Sequence, residues 1–236
     1  MNVYARLFFR AIILALMIGI VVVLGLLAKT AVVHQAPAVP RTYVERAYMD
    51  AEQAVKADPR NAKARIALAK AYIAVGRFNN AIEQASVATR LDRKSMDAYM
   101  TLGIAYNRTN QHDAAISTLK KALMVEQGTA ELQSQVYDNL GQAYEATGNI
   151  PDAIKAYGAA YDSSGQDINI GYSYASMLEK AGKSQEALTI YKDIVAFVPD
   201  EKKAQDELVR LSAKLQSSKK GSAPKAATPP STAAKR

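Results

Sequence analysis

The 236-residue chain contains no cysteine, no tryptophan and only two histidines. Without cysteine there is no disulfide framework, no thiol nucleophile and no cysteine metal site, so the sequence is silent on the redox state of its compartment. His34 follows an apolar run and His112 stands at a turn between two helical patterns. Neither has a metal-ligand spacing, and both read as ordinary surface residues. Ala181-Gly182-Lys183-Ser184 imitates the end of a phosphate-binding loop, but Met177 occupies the place of the earlier glycine. The segment also joins two helical patterns, where a phosphate loop joins a strand to a helix. Catalytic residues, metals and cofactors are therefore not expected, and the chain does not read as an enzyme.

An excess of charge inside the folded region is also missing. The formal net charge is +8, with 30 basic and 22 acidic residues. Three of the basic residues lie at or before Lys29 and five lie in 217–236, so the 22 left over balance all 22 acids. A pI near 9.5 would ordinarily suggest nucleic acid as a partner. Here the charge sits at the ends, and no nucleic-acid role is expected. Within the neutral middle the charge is polarised: residues 41–125 carry 14 basic and 8 acidic groups, and residues 126–216 carry 8 and 14. Such asymmetry supplies a field able to orient a partner.

What is present begins with an apolar run. Ala11 to Ala28 holds no charged residue, and Phe8-Phe9 extend it across Arg10. At about 1.5 Å per helical residue, a helix over 8–28 is about 30 Å long, enough to cross a bilayer core. A cleaved signal peptide has an apolar region of only about 7–15 residues, and the nearest small-x-small site, Ala36-Pro37-Ala38, lies well past the run. The sequence thus predicts a short N-terminal segment (1–10), a retained transmembrane helix (8–28) and a linker (29–41). Arg6 and Arg10 ahead of the span favour an internal N-terminus. In a bacterium that is the arrangement of a single-pass inner-membrane protein with its folded domain outside the cytoplasm; in a eukaryotic signal-anchored outer-membrane protein the repeats would face the cytosol.

Four short blocks then recur: Asn80-Ala81-Ile82, Ala114-Ala115-Ile116, Asp152-Ala153-Ile154 and Glu186-Ala187-Leu188. Their alanines are 34, 38 and 34 residues apart. Phasing the chain on them aligns Leu68-Ala69, Leu102-Gly103, Leu140-Gly141 and Tyr174-Ala175, then Tyr72, Tyr106, Tyr144 and Leu178. Turns follow at Gly76-Arg77, Asn110-Gln111, Gly148-Asn149 and Gly182-Lys183. Ala88, Ala122, Ala160 and Ile194 complete the pattern. Around Glu126–Leu132 the four additional residues form either a longer loop or an extra helical turn.

This order of large, small and aromatic residues closely resembles the tetratricopeptide repeat (TPR) family, in which large side chains of one helix fill holes left by Gly and Ala on the next. The resemblance implies an all-α, right-handed α-solenoid over 42–216, preceded by one transmembrane helix. Its repeats fall at about 62–95, 96–129, 134–167 and 168–201. Tyr43 to Ala57 reads as the second helix of a half-repeat that stops at Asp58-Pro59, and 201–216 as a capping helix with Asp200 ahead of it. On that helix Ala204, Leu208, Leu211 and Leu215 make one apolar stripe against charged faces. The Ala/Pro/Ser-rich basic tail, 217–236, has little to bury and is expected to be disordered.

In TPR proteins the first helix of each unit lines a groove. The matching positions are Lys63, Ile66, Lys70 and Ile73 in the first unit and Asp97, Met100, Ile104, Asn107 and Arg108 in the second. Gln135, Asp138, Gln142 and Glu145 follow in the third, then Asn169, Tyr172, Ser176 and Glu179 in the fourth. The groove would suit a peptide or helical segment with apolar anchors and a basic stretch. The carboxylate clamp that grips chaperone tails is absent, since its positions hold Ile66, Lys70, Thr101, Gln135 and Asn139. The resemblance thus implies a membrane-anchored protein-interaction scaffold in envelope protein assembly, folding or translocation, or else a permanently assembled subunit of a larger membrane complex. The sequence further predicts that reversing Asp138 and Glu145 to Lys weakens partner capture without changing melting. Oligomeric state is not legible.

Overall fold

The computed structural model describes residues 42–125 and 128–221. The expected transmembrane helix at 8–28, its linker, and the tail beyond Gly221 lie outside the described residues. Among those residues no helix is long and apolar enough to cross a membrane. The chain divides after Arg46, and the architecture below concerns the unit that begins at Ala47.

The described residues form ten helices and no strand: α1 (Tyr43–Ala57), α2 (Ala62–Ala74), α3 (Phe78–Leu91), α4 (Met96–Arg108), α5 (His112–Leu123), α6 (Ala130–Ala146), α7 (Ile150–Ser163), α8 (Ile168–Lys180), α9 (Ser184–Phe197) and α10 (Lys202–Gly221). They pair as hairpins α2–α3, α4–α5, α6–α7 and α8–α9, and each second helix packs on the first helix of the next unit. First helices also touch one another directly, α2 with α4 and α4 with α6, and the Lys180–Glu145 and Arg210–Glu179 ion pairs carry this inner row on to α8 and α10.

Two local devices set this alternation. The first helices begin on side-chain caps: Asn61, Ser95, Thr129 and Asp167 each accept a bond from a backbone N–H in the first turn. Within every hairpin the chain reverses through a left-handed residue, Gly76, Asn110, Gly148 or Gly182. The next N–H then closes on the carbonyl five residues back: Arg77 on Tyr72, Gln111 on Tyr106, Asn149 on Tyr144 and Lys183 on Leu178. Glycine suits this conformation because it has no Cβ to clash, and asparagine is the usual substitute. The phosphate-loop look-alike is therefore one of these turns, with Gly182 at φ +76°.

In the two middle hairpins the interior is a small-into-large contact. A Cβ on Gly103 would stand 2.5 Å from Leu119, and one on Gly141 would stand 2.7 Å from the Tyr157 ring. Ala81, Ala115, Ala153 and Ala187 are all fully enclosed. One continuous cluster joins Met96, Leu119, Val136, Leu140, Tyr144 and Tyr157, and a second joins Leu178, Tyr191, Ile194, Ala204 and Leu211.

One detail settles an alternative the sequence left open, and two differ from the sequence reading. α6 starts at Ala130, four residues ahead of Ser134, and has 17 residues where α2, α4 and α8 have 13. Thr129 caps the added turn, so the inserted residues lengthen a helix. α10 starts at Lys202 and continues to Gly221, past the expected end at Gln216. Its first carbonyl is that of Glu201, which accepts from Gln205, so Asp200 lies outside the helix. On α10 Ala204 and Leu211 are fully buried, but Val209 is 72% exposed, so the face away from the stack is not wholly polar.

Candidate partner-binding face

The inner row of first helices gathers most of the predicted positions, but burial sorts them. Ile66 and Met100 are 6% and 3% exposed and belong to the core. Ile66 packs with Ala88 and Ala98, and Met100 joins the central cluster. Neither is a binding residue: both point between helices, because the inter-repeat contact needs a large side chain there. Ile73 and Ile104 are half-buried and rest against the core.

The charged positions form links between successive first helices. Lys70 Nζ lies 2.8 Å from the Asp97 carboxylate, joining α2 to α4. The Asn107 side-chain amide donates to the Asn139 carbonyl at 2.9 Å, joining α4 to α6. Lys180 Nζ is 2.7 Å from Glu145, joining α8 to α6, and Arg210 grips Glu179 at 2.7 Å, joining α10 to α8. Each junction thus has one polar rung. Exposed pairs of this kind contribute about 0–1 kcal/mol each.

In the last two units a buried tyrosine completes the rung. The Tyr157 hydroxyl donates to Glu145 at 3.1 Å, and the Tyr191 hydroxyl donates to Glu179 at 3.2 Å. Burial, with the neighbouring carboxylate second, pushes both phenols well above their ordinary range. They remain neutral donors. Glu145 and Glu179 are therefore occupied by the fold, and reversing Glu145 would disturb stability as well as any binding. Tyr172 is engaged too: its hydroxyl donates to Glu201 at 3.0 Å, the Lys203 ammonium lies 3.8 Å from its ring centre, and burial pushes its pKa up to about 12.

Asp138 is different. It is half-buried on α6, and no cation pairs with it among the described residues. Among the described residues its one hydrogen-bond partner is the Gln142 amide at 2.8 Å. Burial raises its pKa above the usual 3.8, the Gln142 bond opposes that, and Asp167 adds repulsion. Around it Gln135, Gln142 and Asn169 are exposed; Lys63 and Arg108 are exposed on the first two units and have no ion pair among the described residues.

At the far end of the same row Tyr172, Ser176 and Glu179 line an open cleft of about 360 Å³, with Lys180, Tyr191, Lys203, Glu207 and Arg210. The last five residues were not singled out from the sequence. A signal for part of this existed: glutamate and tyrosine recur 12 residues apart, as Glu145/Tyr157 and Glu179/Tyr191. Among the described residues no cluster of His, Cys, Asp and Glu is arranged to hold a metal ion.

Three tetratricopeptide-repeat family models match residues 44–95, 95–164 and 139–202. The chain is 20% identical over 167 residues to the protein O-mannosyl-transferase TMTC1 of Homo sapiens; that stretch is 71% of this chain and 19% of the relative, so the chain spans about a fifth of that relative's length. Among solved structures it is similar to MamA, at 23% identity and a TM-score of 0.55 over 76% of this chain and 99% of that one. It is also similar to YrrB, a TPR protein with an unusual peptide-binding site, at 19% identity and a TM-score of 0.58 over 70% and 84%.

Proposed function

The chain belongs to the tetratricopeptide repeat family, and from that premise we propose that it is a non-catalytic scaffold whose inner row binds a basic peptide or helical segment of another protein. The observation that carries this reading is Asp138, a half-buried carboxylate with a raised pKa and no cation, set among exposed Gln135, Gln142 and Asn169. A lysine or arginine from a partner supplies the charge that the fold supplies to Glu145 and Glu179 but withholds from Asp138. The solved neighbour YrrB, with its peptide-binding site, supports the class of ligand.

In this reading the apolar run at 8–28 anchors the scaffold in a membrane, and Arg6 and Arg10 ahead of it favour repeats outside a bacterial cytoplasm. Its work there is holding partners during envelope protein assembly, folding or translocation. The test is capture from detergent-solubilised membranes with the full chain. Asp138→Lys reduces recovery of the partner about tenfold or more while helical content is unchanged, as expected when a like charge meets a basic ligand. Equal recovery by Asp138→Lys and the parent chain contradicts the proposal. A neighbour recovered at constant stoichiometry marks a permanent subunit; a changing set marks a client-binding scaffold.

A further inference from the structure

The outer side of the stack differs from seam to seam. Where two second helices flank the first helix of the later unit, four positions recur at fixed offsets. They hold Thr89, Arg90, Leu102 and Lys121 where α4 lies between α3 and α5. They hold Leu123, Met124, Leu140 and Ala159 where α6 lies between α5 and α7. At the next seam, of α7, α8 and α9, they hold Tyr161, Asp162, Tyr174 and Asp193. The repeat packs with basic or apolar residues at these positions, so packing does not require two tyrosines and two acids there. Tyr174 stands about 200° around α8 from Tyr172 and Ser176, which turns this seam away from the inner row.

The polar groups of the seam lack partners. Tyr161 is 3% exposed, and its hydroxyl reaches no hydrogen-bond partner. A buried hydroxyl left in that state costs stability, and few are found in folded proteins. Burial raises the Tyr161 pKa, and Asp193 and then Asp162 add to the effect, so both carboxylates stand within electrostatic range of the orphaned oxygen. Asp162 is exposed and Asp193 half-buried, and neither forms an ion pair among the described residues.

An aromatic floor lies beside them. The Tyr174 ring sits 6.3 Å from that of Tyr161, and Gly158 makes room for it: a Cβ there would stand 3.2 Å from the Tyr174 ring. Tyr174 is half-buried and feels the charge of Asp162 and Glu186. The neighbouring cation, Lys183, is engaged by Glu186 at 3.1 Å. One turn beyond Asp193 on α9, Phe197 is 66% exposed.

We propose that this outer seam is a second docking surface, and that it takes an arginine side chain from a partner protein. A guanidinium suits it better than an ammonium, because it is planar, stacks on a tyrosine ring and carries its donors in a fixed fork. Asp162 and Asp193 accept charge-assisted bonds from two of its N–H groups, and the Tyr161 oxygen accepts a third. The Tyr174 ring turns outward to admit the side chain and then stacks on its plane. Phe197 receives an apolar residue beside it. The seam shares no residue with the inner row, so the proposal stands apart from the reading of Asp138.

The test removes the inner row from the measurement by using Asp138→Lys full chains in a non-ionic detergent. Fluorescent hexa-arginine and hexa-lysine peptides carry equal charge and report binding by anisotropy. The proposal expects hexa-arginine to bind more tightly than hexa-lysine. Adding Asp193→Lys weakens hexa-arginine about tenfold with unchanged helicity, as when a like charge meets a basic ligand. Adding Tyr161→Phe instead deletes one oxygen: it weakens hexa-arginine about fivefold while raising the melting temperature, since the orphaned hydroxyl is gone. Tyr174→Leu, which installs the residue type of Leu68, Leu102 and Leu140, lowers affinity in the same way. Hexa-arginine binding that survives Asp193→Lys and Tyr161→Phe unchanged overturns the proposal. Hexa-lysine binding as tight as that of hexa-arginine overturns it too. Neither result bears on the inner row, whose own test is Asp138.

Discussion

Glycine and tyrosine divide the work inside the hairpins. Gly141 has no Cβ because the Tyr157 ring occupies that space, and Tyr157 in turn sends its hydroxyl to Glu145. Gly141→Ala gains about 1 kcal/mol of helix propensity but overpacks at about 1–3 kcal/mol. The expected net loss is about 1 kcal/mol in urea unfolding, and Tyr157→Leu in the same chain should recover part of it. Asp138 makes a prediction in the opposite direction. Its folded-state pKa is raised, mainly by burial, so the folded chain binds the proton more readily than the unfolded chain. Its favourable contribution is therefore complete below the unfolded pKa and is lost as pH rises through the folded one. Asp138→Asn should unfold at higher denaturant than the parent at neutral pH, and the difference should vanish toward about pH 3. A gap independent of pH would contradict this. The alignment of small residues was legible in the sequence. That Glu145 and Glu179 are consumed by Tyr157, Tyr191, Lys180 and Arg210 was not, because those contacts cross between helices and depend on how hairpins stack.

At the scale of helices, repeat spacing alone located the hairpins, since capping residues, left-handed turns and buried alanines recur at fixed offsets. It left open whether the four added residues before Ser134 made a loop or a turn, because either satisfies the count; Thr129 capping an added helical turn decided it. The end of α10 was missed because no apolar periodicity continues past Leu215, although nothing there forbids a helix before Gly221. The hairpins should also differ in firmness. In the first, Ala69 faces Ala85, whereas in the third Gly141 receives a tyrosine, and a smaller enclosed side chain stabilises less. Backbone amides of α2 and α3 should therefore exchange with deuterium faster than those of α6 and α7. Arg210 fastens α10 to Glu179, so Arg210→Ala should speed exchange in α10 while costing about 1 kcal/mol or less overall.

For the whole molecule the sequence foresaw an all-α stack of helical hairpins, and it chose the first helices of the units as the binding face. Ten of the seventeen residues chosen by offset serve packing or contacts between helices, and burial and pairing separate them from those that present free polarity. If the inner row around Asp138 receives a partner, photocrosslinking in cells separates Gln135, Gln142 and Asn169 from Lys155 and Thr189 on second helices. All five side chains are exposed. One shared set of crosslinked proteins is expected from the three first-helix positions and none of them from the two second-helix positions. The same set recovered equally from Lys155 and Thr189, or found only there, would contradict it.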